Sequence, residues 1–210
     1  MIPALVLALA LLVPPTPHFV SATPLSGNWT GYQAQVQMRA VPLDVEFVWV
    51  GGHLADGMFV QSGLQLGKTT YAFAWATRDL RNDSPVPLDW APLPSAPGPW
   101  YTFTLAKSGC VWAFSYVTPA GRTVKQGSFR DCANLTSAQA TTEYWATGPE
   151  NLGVTVIRNW RLRTTAGKWT VPPDVQWSGD RHETLTSATP GNVVFRGSDG
   201  TTARTWARLW

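Results

Sequence analysis

Apolar residues in this chain recur at every second position in short bursts, and turn-forming residues separate the bursts. Side chains of a strand alternate between faces at period two, whereas a helix repeats at 3.6, so this pattern excludes a helical fold. Gln33-Ala-Gln-Val-Gln37, Tyr71-Ala-Phe-Ala-Trp75, Trp100-Tyr-Thr-Phe-Thr-Leu105, Val111-Trp-Ala-Phe-Ser-Tyr116, Thr142-Glu-Tyr-Trp-Ala146, Gly153-Val-Thr-Val-Ile157 and Val193-Val-Phe195 all alternate, and Val45-Glu-Phe-Val-Trp-Val50 is β-branched and aromatic. Gly51-Gly52, Gly67-Lys68, Pro119-Ala-Gly121 and Asp199-Gly200 read as turns. The spacing predicts an all-β antiparallel sandwich or barrel. Pro85 to Pro99 holds six prolines in fifteen residues and reads as a surface loop, because proline cannot donate to a sheet ladder. The stretch from Thr164 to Ser187 has no legible pattern, and there is no internal repeat.

Before Arg39 the chain carries no charged side chain, and Ile2 to Val13 is an apolar run too short to span a bilayer comfortably. Prolines and then Phe19-Val-Ser-Ala22 follow it, which reads as a secretory signal peptide over residues 1–22, with an uncleaved anchor as the alternative. Residues 23–210 then form a single domain. An exported monomer is expected, with no stable membrane insertion once the leader is removed. Charged residues make up 14%, against about 25% in typical domains, and the net charge is +3. The cluster Arg158, Arg161, Arg163 is too sparse for a nucleic-acid interface and reads as a solvated strand face. Cys110 and Cys132 are expected to form a disulfide in an oxidising compartment, the alternative being two separate buried thiols. Three N-x-[ST] acceptor patterns begin at Asn28, Asn82 and Asn134.

No G-x-S-x-G and no metal-ligand spacing occurs, so no metal or cofactor is expected. His53 follows the glycine pair and reads as a loop residue. Phe59-Val-Gln-Ser-Gly-Leu-Gln-Leu66 places Phe59, Gln61, Gly63 and Gln65 on one strand face, either lining a cleft or facing solvent. Glu143 stands within Thr141-Thr-Glu-Tyr-Trp-Ala-Thr147, where a carboxylate must be paired, hydrogen-bonded or facing a cleft. Asp44 and Glu46 would share a strand face, the arrangement of a glycosidase acid and nucleophile.

Several of these segments, in order, resemble the motifs of the glutamic peptidases, the eqolisin family. Ser26-Gly-Asn-Trp-Thr-Gly-Tyr32 is similar to their S-N-W-[SAG]-G-Y opening, Phe47-Val-Trp-Val-Gly51 to their W-V-G strand, and Phe59-Val-Gln-Ser-Gly-Leu64 to their glutamine-bearing strand. Ser95-Ala-Pro-Gly98 resembles their V-x-P-G-D turn, and Thr142-Glu-Tyr-Trp-Ala-Thr-Gly-Pro-Glu150 their A-E-W-I-V-E strand. The resemblance implies a two-sheet jelly-roll sandwich of the lectin and glucanase type. It also implies a secreted endopeptidase in which Glu143 is the general base and Gln61 the oxyanion donor, without metal. Trp49, Gln65, Phe73, Trp75 and Trp145 become candidate polypeptide-binding residues. Two departures stand out: His53 occupies the place of the family's Asp, and Tyr71 to Ala76 lacks its Glu. A non-catalytic peptide- or carbohydrate-binding jelly roll, or a glycoside hydrolase using Asp44, Glu46 or Glu143, are the alternatives on the same fold.

Overall fold

A computed structural model describes residues 16–24, 27–39, 45–78, 86–94, 97–146, 154–173, 175–179, 183–197 and 204–208. In these residues the chain forms sixteen strands and no helix. They are β1 (Thr16–Pro24), β2 (Trp29–Gln37), β3 (Val45–His53), β4 (Phe59–Gly67), β5 (Thr70–Thr77), β6 (Val86–Leu93), β7 (Trp100–Ser108) and β8 (Val111–Val117). The second half gives β9 (Thr123–Arg130), β10 (Gln139–Ala146), β11 (Val154–Thr164), β12 (Trp169–Thr170), β13 (Val175–Gly179), β14 (Glu183–Thr189), β15 (Asn192–Gly197) and β16 (Arg204–Arg208).

The strands build two antiparallel sheets. The first runs β16-β13-β1-β10-β3-β4-β5-β6, the second β14-β15-β11-β2-β7-β8-β9, with β12 paired to β11. This is the expected β-sandwich. Even-numbered residues of the central first-sheet strands, such as Val48, Val50, Leu64, Leu66, Ala72 and Ala74, point into the core. There they meet Tyr32, Ala34, Phe103, Leu105, Phe114, Ile157 and Phe195 of the second sheet. Polar links also cross the core: the Tyr32 hydroxyl lies 3.2 Å from Ser62 Oγ, and Thr155 Oγ1 of β11 donates to Glu46 of β3 at 2.8 Å. Burial removes Tyr32 from titration in the accessible range by raising its pKa.

Several sequence expectations shift here. The Pro85–Pro99 segment is not wholly a loop: β6 runs through it as an edge strand, where a missing N–H costs least, with a register break beside Ala74 and Trp75. Gly51 and Gly52 are not a turn but lie inside β3. A Cβ on Gly52 would collide with the Ser137 carbonyl, so glycine is what lets the chain at Ser137 close over the end of β3. Strand β1 pairs with β10 from Thr16 to Ala22 and with β13 from Val20 to Pro24. Of the arginine cluster, Arg158 stacks 3.6 Å over Trp100 and Arg163 donates to the Lys107 carbonyl.

Cys110 and Cys132 are disulfide-bonded, closing the β8–β9 hairpin at its base. Their separation of 22 residues makes the reduced unfolded chain gain loop entropy. Cys110→Ser/Cys132→Ser is therefore expected to lose about 3 kcal/mol of stability, read as a lower urea midpoint. An unchanged midpoint would show that the hairpin does not need the crosslink.

Candidate functional site

The odd-numbered residues of β3, β4 and β5 face away from the second sheet. The ladder sorts them into transverse rows. One row runs Gln139, Gly51, Gln61, Trp75. The next runs Thr141, Trp49, Gly63, Phe73, and the third Glu143, Phe47, Gln65, Tyr71. On the other side of the Gln61 row, His53 pairs with Phe59 and Phe59 with Thr77. Gln61, Gln65, Glu143, Trp49, Phe73 and Trp75 thus all belong to one outer face. Trp145, on β10, pairs with Pro17 of β1, and its side chain lies outside the described residues.

Aromatic rings make up much of this face. Trp49 packs edge-on to Phe59 with ring centres 5.7 Å apart, and Phe47 packs edge-on to Phe73 at 5.6 Å. Trp90, on β6, leans over Phe73 at 5.5 Å and remains 41% exposed. The indole N–H groups of Trp49 and Trp75 are buried without a hydrogen-bond partner among the described residues. Gln61 is only 8% exposed.

Both members of the expected amide–acid pair stand on this face. Gln61 and Glu143 share the face, but they occupy different rows, two strands apart and four residues along. With strands about 4.8 Å apart and about 3.3 Å per residue, their Cα atoms are on the order of 16 Å apart. The residue opposite Gln61 is Gln139, with Gly51 between them. A Cβ on Gly51 would come within 2.9 Å of the Gln61 Cβ, so the position is necessarily bare. The result is a slot without a side chain at its floor, flanked by two amides. Nothing in the sequence singles out Gln139 as the neighbour of Gln61, because alternation leaves the register of β10 against β3 open.

The glycosidase pairing is corrected. Glu46 is fully buried on the core face, opposite in sense to Glu143. It accepts bonds from Arg39 Nη2 at 2.5 Å, Thr142 Oγ1 at 3.0 Å and Thr155 Oγ1 at 2.8 Å. Burial raises its pKa, and the Arg39 charge offsets part of that. It cannot reach a substrate together with Glu143. Asp44 lies outside the described residues.

His53 is also not a loop residue. It ends β3 with its ring 4.9 Å from that of Phe59. Ser137 Oγ accepts from the His53 main-chain N–H at 3.0 Å and lies 3.3 Å from Nδ1. Burial lowers the His53 pKa, favouring the neutral imidazole. No group of three or more His, Cys, Asp or Glu among the described residues could hold a metal ion.

No protein-family model matches the chain, and no curated protein matches it in sequence. Among solved structures, scytalido-glutamic peptidase bound to a transition-state analogue inhibitor is similar at TM-score 0.63 and 11% identity. The match covers 88% of this chain and all of that one. The CBM2 module of an evolved Dit protein from Lactobacillus casei BL23 phage J-1 aligns at TM-score 0.42 and 11% identity, over 81% of this chain and 63% of that one. The first likeness shows that this chain has the fold of a glutamic peptidase.

Proposed function

We propose that the chain binds an extended polypeptide across the outer face of the first sheet, as a peptidase-fold protein whose Gln61–Gly51–Gln139 slot grips the main chain. The observation that carries this reading is the row itself: two amides facing each other over a position that has no side chain. A carboxamide offers one acceptor and two donors, the complement of a peptide unit. Trp75 and the exposed Trp90 supply apolar walls, backed by the buried rings of Trp49 and Phe73, and Gln65 a further polar contact one strand-face step beyond Gly63. The disulfide supports an extracellular setting, where such a chain meets unfolded or secreted polypeptides.

A second reading is favoured by the fold shared with scytalido-glutamic peptidase and by the common face of Gln61 and Glu143. In it the protein is a glutamic endopeptidase. Glu143 takes a proton from water, the water attacks the scissile carbonyl, the Gln61 amide donates to the oxyanion, and Glu143 returns the proton to the leaving amine. This chemistry needs the two groups to close on one water.

Calorimetry and mass spectrometry on casein-derived peptides separate the two. Binding without cleavage, weakened about tenfold in Gln61→Ala and in Gln139→Ala but unchanged in Glu143→Gln, is expected, since each lost hydrogen bond to a buried partner is worth about 1.4 kcal/mol. Cleavage abolished by both Gln61→Ala and Glu143→Gln would establish the endopeptidase instead. Peptides that neither bind nor are cut would remove both readings.

A further inference from the structure

We infer that Ser137 and His53 form a nucleophile–base pair at the end of the same cleft, acting on the acyl carbonyl of a bound peptide or ester. The inference rests on the polypeptide-binding reading for its substrate, but the chemistry is argued from a separate pair of residues. Ser137 Oγ lies 3.3 Å from His53 Nδ1, within reach of a proton transfer that tightens on substrate binding. The same oxygen accepts from the His53 main-chain N–H at 3.0 Å, which fixes the hydroxyl beside the ring. The ring packs on Phe59, and Phe59 belongs to the aromatic cluster of the outer face with Trp49 and Phe73. Both residues are partly exposed. Burial keeps the imidazole neutral, the form that accepts a proton.

The row next along the face carries Gln139 and Gln61. Gln139 stands two residues beyond Ser137 on the same stretch, and its carboxamide and that of Gln61 supply side-chain N–H donors for a carbonyl held over Ser137. In the acyl step the Oγ–H proton passes to Nδ1 and a bond forms from Oγ to the carbonyl carbon. The carbonyl π pair moves onto oxygen, where the amide N–H groups stabilise it. As that pair returns, the bond to the leaving nitrogen or oxygen breaks and Nδ1 gives it the proton. Water then repeats the sequence on the acyl-Ser137 intermediate, releasing the acid and the free serine. No metal and no redox partner enters the balance.

A fluorophosphonate probe reads this pair without requiring peptide recognition. The full chain at pH 7.5 is expected to take up one probe on Ser137, located by peptide mass mapping, about 100-fold faster than its His53→Gln variant, the scale of a positioned general base. Labelling of Lys125→Gln, an exposed position on β9 of the other sheet, should match that of the wild type. Because Ser137 also holds the end of β3, Ser137→Ala could unfold that corner, so Ser137→Cys serves as the second variant. Its thiol should be alkylated by iodoacetamide at least about tenfold faster than in Ser137→Cys/His53→Gln. An unlabelled Ser137 in folded protein, or probe and alkylation rates that do not change on losing His53, would overturn the inference. Loss of casein-peptide binding with Ser137 labelling intact would instead remove only the polypeptide reading.

Discussion

Gln139→Glu is expected to confer hydrolysis on the slot proposed to bind polypeptide. Gln139 faces Gln61 across a bare Gly51, with Cα atoms about 10 Å apart over two strand spacings. Long side chains standing on either side of that gap can share one solvent molecule, which is the spacing acid–amide hydrolysis requires. Glutamate is isosteric with glutamine, so packing on the sheet is preserved. An ionised carboxylate there would activate the water while the Gln61 amide received the oxyanion. General-base assistance contributes about 10²- to 10⁴-fold. Casein cleavage in the variant should therefore exceed that of the wild type by at least about 100-fold at mildly acidic pH. It should fall back by about 100-fold on adding Gln61→Ala, the effect of one lost oxyanion donor. A folded Gln139→Glu protein that binds peptide and leaves it intact would show that the slot does not hold a water between the two side chains.

Truncating Glu46 is expected to be the most damaging single change to stability. The carboxylate is fully buried and satisfies Arg39, Thr142 and Thr155 together, tying β3 to β10 of its own sheet and to β11 of the other. Glu46→Ala leaves the largely buried Arg39 charge and two hydroxyls without their acceptor. Breaking a buried pair in this way costs about 3–5 kcal/mol, measurable by urea denaturation. The pH dependence has a definite sign. A folded pKa raised above the unfolded value means that the group favours the folded state at low pH, and that this contribution is lost as pH rises through the raised value. Glu46→Gln should therefore flatten a decline in stability that begins just above the ordinary carboxylate pKa. A wild-type stability that climbs through that window and is unaltered by Glu46→Gln would contradict the assignment.

Much of the sandwich was legible because strand formation here is written locally. Trp100 to Leu105 and Val111 to Tyr116 carry their faces in their alternation, and each is a strand with that alternation intact. The segments misread were those where a neighbour outweighs a local preference. Gly51-Gly52 reads as a turn until Ser137 is seen to need the space, and the prolines of β6 read as loop until that strand is placed at an edge.

The side of the sheet on which Gln61, Gln65 and Glu143 stand follows from period two alone, and the chain determined that much by itself. Which of them stand together did not. Sliding β10 by two residues along β3 preserves every inward and outward side chain, so alternation is silent about the choice between Gln139, Thr141 and Glu143 as the neighbour of Gln61. Only the hydrogen-bonded ladder, fixed by the packing of both sheets, sets Gln139 over Gly51 and brings Ser137 beside His53.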